Sequence, residues 1–137
     1  MFSLDVMAIF DTLLPMLTAR FPNAGVRIER GERLHAIIPA THPDVGDIML
    51  QDDGDEVTVY AGNFTHGHFA NYEAISDEQK AKLISEDVVD FLDAVFADKV
   101  AFWGSHKCGG GWRRLDIGPQ KQPEAAEYVW SGPRQNI

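Results

Sequence analysis

Residues 26–61 constrain the fold more than any other stretch, because apolar and polar side chains alternate there in short runs cut by turn residues. A period of two sends successive side chains to opposite faces, so each run reads as a half-buried strand. Val26-Arg27-Ile28-Glu29-Arg30 alternates cleanly, and Gly31-Glu32 offers a two-residue loop with glycine first, as a type II′ turn requires. The chain returns along Arg33 to Ile38, and Pro39, which has no amide hydrogen to give, ends the ladder. Gly46 to Gln51 then pairs with Glu56 to Ala61 across Asp52-Asp53-Gly54-Asp55. Four short antiparallel strands in a meander are expected.

Two helical patterns flank the meander. In the first, Val6, Phe10, Leu13, Leu14 and Leu17 recur at helical spacing, with Ser3 as the N-cap. Pro15 lacks the donor that the helix needs, so this helix should end near Leu14 or kink there. The second begins at the capping box Ser76-Asp77-Glu78-Gln79 and carries one apolar stripe, Ala81, Ile84, Val88, Phe91, Leu92 and Val95, to about Ala97. A further hairpin follows, Val100 to Gly104 with Trp112 to Asp116, closed by a loop from Ser105 to Gly111, and then a last strand from Glu127 to Trp130. The expected fold is α+β, one domain over residues 1–137, with the order α-β-β-β-β-α-β-β-β: a single antiparallel sheet with two helices packed on one face.

With 45% apolar residues the chain can form one core, and its 24% charged fraction without low-complexity runs is that of a folded domain. No apolar run approaches the length of a membrane span. The segment MFSLDVMAIFDTLLPML is broken by Asp5 and Asp11 and lacks a basic leader, so it reads as an amphipathic helix rather than a signal peptide. A lone cysteine, Cys108, forms no disulfide framework, and a reducing cytoplasm is the expected setting. The net charge of −9 is uneven: residues 1–105 hold 18 acids and 7 bases, residues 106–137 hold 3 and 5. An acidic body repels nucleic-acid phosphates and speeds encounter with a basic partner.

The chemistry-bearing stretch is GNFTHGHFANY, residues 62–72. If the strand carrying Val57 and Val59 continues past Ala61, alternation places Tyr60, Phe64, His66 and His68 on the face opposite Val57, Val59 and Ala61. Histidines two apart on a strand are separated by about 6.6 Å of rise, close enough for both to reach one ion. A zinc site needs further ligands, and His35, His42, Glu73, His106 and Cys108 are present without forming an HExxH, a CxxC pair or a compact acid–histidine cluster. The pair therefore reads first as structural or interfacial. The acidic hairpin is no EF-hand loop, since counting back from Gly54 to the first ligand position lands on Met49; Asp52, Asp53 and Asp55 are expected at the surface without an ion. Cys108 beside His106 and Lys107 lacks a defined activating geometry. The glycines at 109–111 precede a strand rather than a helix N-terminus and so make no phosphate loop; they read as a mobile turn. Trp103, Trp112, Tyr128 and Trp130 lack the interleaved bases of a nucleic-acid stacking platform.

The stretch EVTVYAGNFTHGHFANY, with the acidic helix and VAFWGS after it, resembles a group of small bacterial α+β proteins in which a V-T-V-x-F/Y-G strand leads into an H-x-H-F motif. The resemblance spans roughly residues 55–105 and falls on Val57, Thr58, Val59, Tyr60, Gly62, His66, His68 and Phe69. In size, charge and architecture the chain is also similar to immunity proteins of bacterial toxin systems. The functional expectation is a non-enzymatic cytoplasmic binding protein, such as an immunity-type inhibitor of a basic toxin, with no cofactor and no nucleic-acid or membrane partner. Asp44, Asp47, Asp52, Asp53, Asp55 and Glu56 would steer the partner, and Tyr60, Phe64, His66 and His68 would meet it. The alternative is a metal-binding protein or metal-dependent enzyme holding zinc at His66 and His68.

Overall fold

The computed structural model describes residues 8–117 and 126–134. Its elements run α1 (Phe10–Arg20), β1 (Arg27–Arg30), β2 (Leu34–Ile38), β3 (Ile48–Asp52), β4 (Glu56–Ala61), β5 (Thr65–Ala70), α2 (Asp77–Phe96), β6 (Val100–Ser105), β7 (Gly109–Arg114), β8 (Tyr128–Val129) and β9 (Gly132–Pro133). The fold is α+β, and the two helices pack together on one face of the meander. None of the described helices is long and apolar enough to cross a membrane.

Two antiparallel sheets stand where the sequence suggests one: a five-stranded meander β1-β2-β3-β4-β5, and a four-stranded sheet ordered β7-β6-β8-β9. The split has a local cause. The chain after Ala61 turns at Gly62 instead of running on, and Thr65–Ala70 folds back as an extra strand opposite β4. The β6–β7 hairpin then packs its glycine-rich strand against this turn rather than extending the ladder. A Cβ on Gly110 would lie 2.4 Å from the Phe64 carbonyl oxygen, so this glycine belongs to a strand in close backbone contact and not to a mobile turn. The hairpin loop shrinks accordingly to residues 106–108, between paired Ser105 and Gly109.

The inner face of the meander carries the core. Ala36, Leu50 and Val59 lie in one cross-strand row, Ile38, Ile48 and Ala61 in another, all buried beneath Phe10, Leu13 and Leu17 of α1 and Ile84, Val88, Leu92 and Val95 of α2. Pro15 neither ends nor breaks α1, which continues to Arg20; Pro15 is exposed, and so is Asp11, whose carbonyl loses the amide it would have accepted from. The proposed cap Ser3 lies outside the described residues. In α2 the capping box forms as read: the Ser76 hydroxyl accepts from the Gln79 amide at 3.2 Å, and the Gln79 side chain accepts from the Ser76 amide at 3.4 Å. Its far end closes with amides of Asp98 and Lys99 donating to the carbonyls of Val95 and Ala94, with Asp98 in the left-handed region at φ 59°. The β1–β2 loop spans Gly31 to Arg33, and Gly31 does not take the positive φ that a type II′ turn demands.

Candidate functional site

Register puts two rows of side chains on the outer face of the meander, away from the helices. One row is Glu29, His35, Gln51, Thr58 and His68; the next is Arg27, Ile37, Met49, Tyr60 and His66. His66 and His68 therefore share a face with Tyr60, as strand alternation requires. Phe64 does not join them. The turn at Gly62 takes it out of phase and inward, where it is 4% exposed and stacks on Phe102 and Tyr128 at 5.8 and 5.0 Å.

At the turn end of this face, charged side chains converge. His68 Nδ1 lies 2.5 Å from Glu56 Oε2 and 3.1 Å from the hydroxyl of Thr58. That hydroxyl donates to Asp53 Oδ2 at 2.5 Å, the Gln51 amide donates to Asp53 Oδ1 at 2.6 Å, and the Arg33 guanidinium pairs with the same oxygen. Burial acts to raise the Asp53 carboxyl, but the hydrogen bonds from Thr58, Gln51 and Arg33 outweigh it and hold the group below its ordinary 3.8. Asp53 is thus a fixed anion, with Gln51 in turn meeting His35 Nε2 at 2.9 Å. Arg33, Gln51, Asp53, Asp55, Glu56, Thr58, Tyr60 and His68 together line an open depression of about 520 Å³.

A ring cluster adjoins it. The His66 and His68 rings stand edge-on at 5.4 Å, Tyr60 lies 5.7 Å from His66, and His106 stacks on His66 at 6.3 Å. His106 reaches this place because the β6–β7 hairpin crosses the β4–β5 turn, where its Nε2 meets the Gly62 carbonyl at 3.1 Å.

The acids expected to act as one steering patch are divided. Asp52 is 8% exposed on the inner face, where it accepts from the backbone amides of Phe10 at 3.0 Å and Gly54 at 2.8 Å. Asp52 is therefore a structural anchor for α1 and not a surface residue. Asp44 and Asp47 lie at the opposite end of β3 from the turn, with Asp47 accepting from the Ala40 amide. Asp53, Asp55 and Glu56 remain at the depression, Asp53 only partly exposed. Arg33, Gln51 and Thr58 were not singled out as site residues by the sequence, although Gln51 and Thr58 are the polar positions in phase with the outward face of β3 and β4. His35 joins the outer row, His42 packs toward Gly132, and Cys108 sits exposed in the β6–β7 loop. Compared with known protein families, functionally described proteins and solved structures, the chain matches none of them.

Proposed function

We propose that this chain is a non-enzymatic binding protein that engages a basic protein partner through the outer face of its meander, in the manner of an immunity-type inhibitor of a basic toxin. The observation that carries the proposal is the depression at the turn end of that face, where three carboxylates, Asp53, Asp55 and Glu56, meet a single guanidinium, Arg33, which is already paired with Asp53. Such a surface attracts a lysine or arginine and speeds its approach. Half-buried Tyr60 and the exposed imidazoles of His66 and His68 beside it supply flat surfaces against which a guanidinium stacks.

The other acidic surface competes poorly. On α2, Asp93 pairs with Arg20 and Asp90 with Arg114, while Lys80 and Lys82 offset two of the four remaining acids. The lone cysteine and the acidic balance suit a bacterial cytoplasmic protein.

The test uses a basic protein encoded by a neighbouring gene, titrated against wild type and the Asp53→Asn/Glu56→Gln variant at low and physiological salt. Binding that weakens with salt, and at least about tenfold with the variant, is expected. Equal affinity for both proteins would remove the depression from the account.

A further inference from the structure

Where the sequence offers His66 and His68 as a metal pair with no further ligands, the fold brings carboxylates to His68 and, among the described residues, to His68 alone of the two. We propose that Asp53, Glu56 and His68 form a seat for one divalent transition-metal ion, with zinc as its first occupant. One ligand atom from each of the three lies within 4.8 Å of the other two. Zinc binds imidazole and carboxylate atoms at about 2.0–2.2 Å, so donors around one ion stand about 3–3.6 Å apart, a distance these side chains reach by small rotations. Their backbones come from the β3–β4 turn, β4 and β5, all within one hydrogen-bonded ladder.

Thr58 braces the cluster from beneath. It is 2% exposed although it belongs to the outward row, and its hydroxyl touches both Asp53 and His68. A buried hydroxyl that contacts two ligands at once fixes their orientation, the role that outer-shell partners play around metal ions. Gln51 and Arg33 fix the other oxygen of Asp53 and leave Oδ2 turned toward the cluster.

The donor set selects the ion. Calcium and magnesium take oxygen ligands, whereas a nitrogen beside two carboxylates suits zinc and its neighbours in the first transition row. Three protein ligands leave a fourth position free, and the half-exposed His68 opens it onto the depression. His66 stays outside: its ring stands perpendicular to that of His68, and its nitrogens do not belong to the three-residue donor group.

The ion would occupy carboxylates that the proposed basic partner also approaches, so the inference is tested with the metal alone. Untagged, metal-stripped full-length protein is titrated with zinc chloride in a non-chelating buffer, and in parallel with calcium chloride. Saturable uptake of one zinc and a rise in melting temperature are expected, with calcium giving neither. His68→Ala and the near-isosteric Glu56→Gln should each weaken zinc at least tenfold, while His66→Ala should leave it unchanged. Circular dichroism of each variant confirms that it is folded. Absence of saturable uptake overturns the proposal. So does uptake that survives His68→Ala or Glu56→Gln, or that is lost with His66→Ala, which would place the ion among the rings of His66 and His106. None of these outcomes bears on binding of a basic protein to metal-free chain.

Discussion

His68 Nδ1 stands 2.5 Å from Glu56 Oε2, although the two are not cross-strand partners: His68 faces Thr58, and Glu56 faces Ala70. Diagonal neighbours on adjacent strands lie about 7–8 Å apart, so only long side chains close such a gap. The contact ties the imidazole to the first residue of β4, and it makes one histidine of the motif part of an acidic cluster.

Because both histidines are exposed, replacing them together should leave the fold nearly intact. We expect His66→Ala/His68→Ala to change unfolding free energy by less than about 1 kcal/mol in urea denaturation. A loss of several kcal/mol would make the pair structural and weaken its assignment to a binding face.

The opposite result is expected one layer down. Phe91 is 5% exposed and bridges Phe69 and Trp112, with ring centroids 5.4 and 4.8 Å away. Phe91→Ala should cost about 3–5 kcal/mol, the range for truncating a buried aromatic. Gly67→Ala should also destabilise, since its Cβ would fall 2.0 Å from Trp112 Cη2 and the indole would have to move. Unchanged melting of either variant would mean that β5, α2 and β7 do not meet as described.

Glu127 gives the fold a pH dependence. It is 6% exposed and accepts from Arg113 Nε and Nη2, both at 3.1 Å, and from Arg134 Nη1 at 2.8 Å. Burial would raise its carboxyl, but the hydrogen bonds from the two arginines prevail and hold it below the ordinary 4.5. A depressed folded-state value means that this stabilisation is complete above about pH 4.5 and is lost as pH falls through the lower value. Asp53 acts in the same sense below its ordinary 3.8. Stability should therefore fall on acidification below about pH 4.5. Glu127→Gln should cost about 2–3 kcal/mol at neutral pH and flatten that acid limb. An acid limb of undiminished slope in the variant would assign it to other groups.

What the sequence revealed and what it hid have the same physical origin. Alternation and helical periodicity are local, so Glu56–Ala61 and the capped α2 were legible to within a residue or so. The β4–β5 turn was not, because Gly62-Asn63-Phe64 lacks the usual two-residue hairpin signature, and long-range contacts fix its phase: the Asn63 amide donating to the Val45 carbonyl and the buried stack of Phe64 on Phe102 and Tyr128. The same missed turn concealed the fifth strand and the second sheet. The cluster around Asp53 was equally hidden. It joins Arg33, Gln51, Asp53, Glu56, Thr58 and His68 across three strands and two turns, and no spacing within one strand encodes that convergence. Asp52 and Asp53, adjacent and alike in sequence, have opposite environments because strand pleating sends one inward to the α1 amide and one outward to Thr58.

Ser85 isolates a smaller point. It is fully buried in α2, and its hydroxyl has no hydrogen-bond partner among the described residues. An unmet buried hydroxyl costs about 1–3 kcal/mol, so Ser85→Ala should hold or raise the melting temperature. A marked fall would reveal a partner for that hydroxyl.

The central claim, that the outer face of the meander is the working surface, is tested most directly by mapping backbone amide shifts while a hexa-arginine peptide is titrated into labelled protein at low salt. The account predicts perturbations centred on Asp53, Asp55, Glu56, Thr58, Tyr60 and His68, abolished by Asp53→Asn/Glu56→Gln and suppressed by added salt. Shifts centred instead on Glu78, Glu86 and Asp87 of α2, with the depression silent, would contradict it.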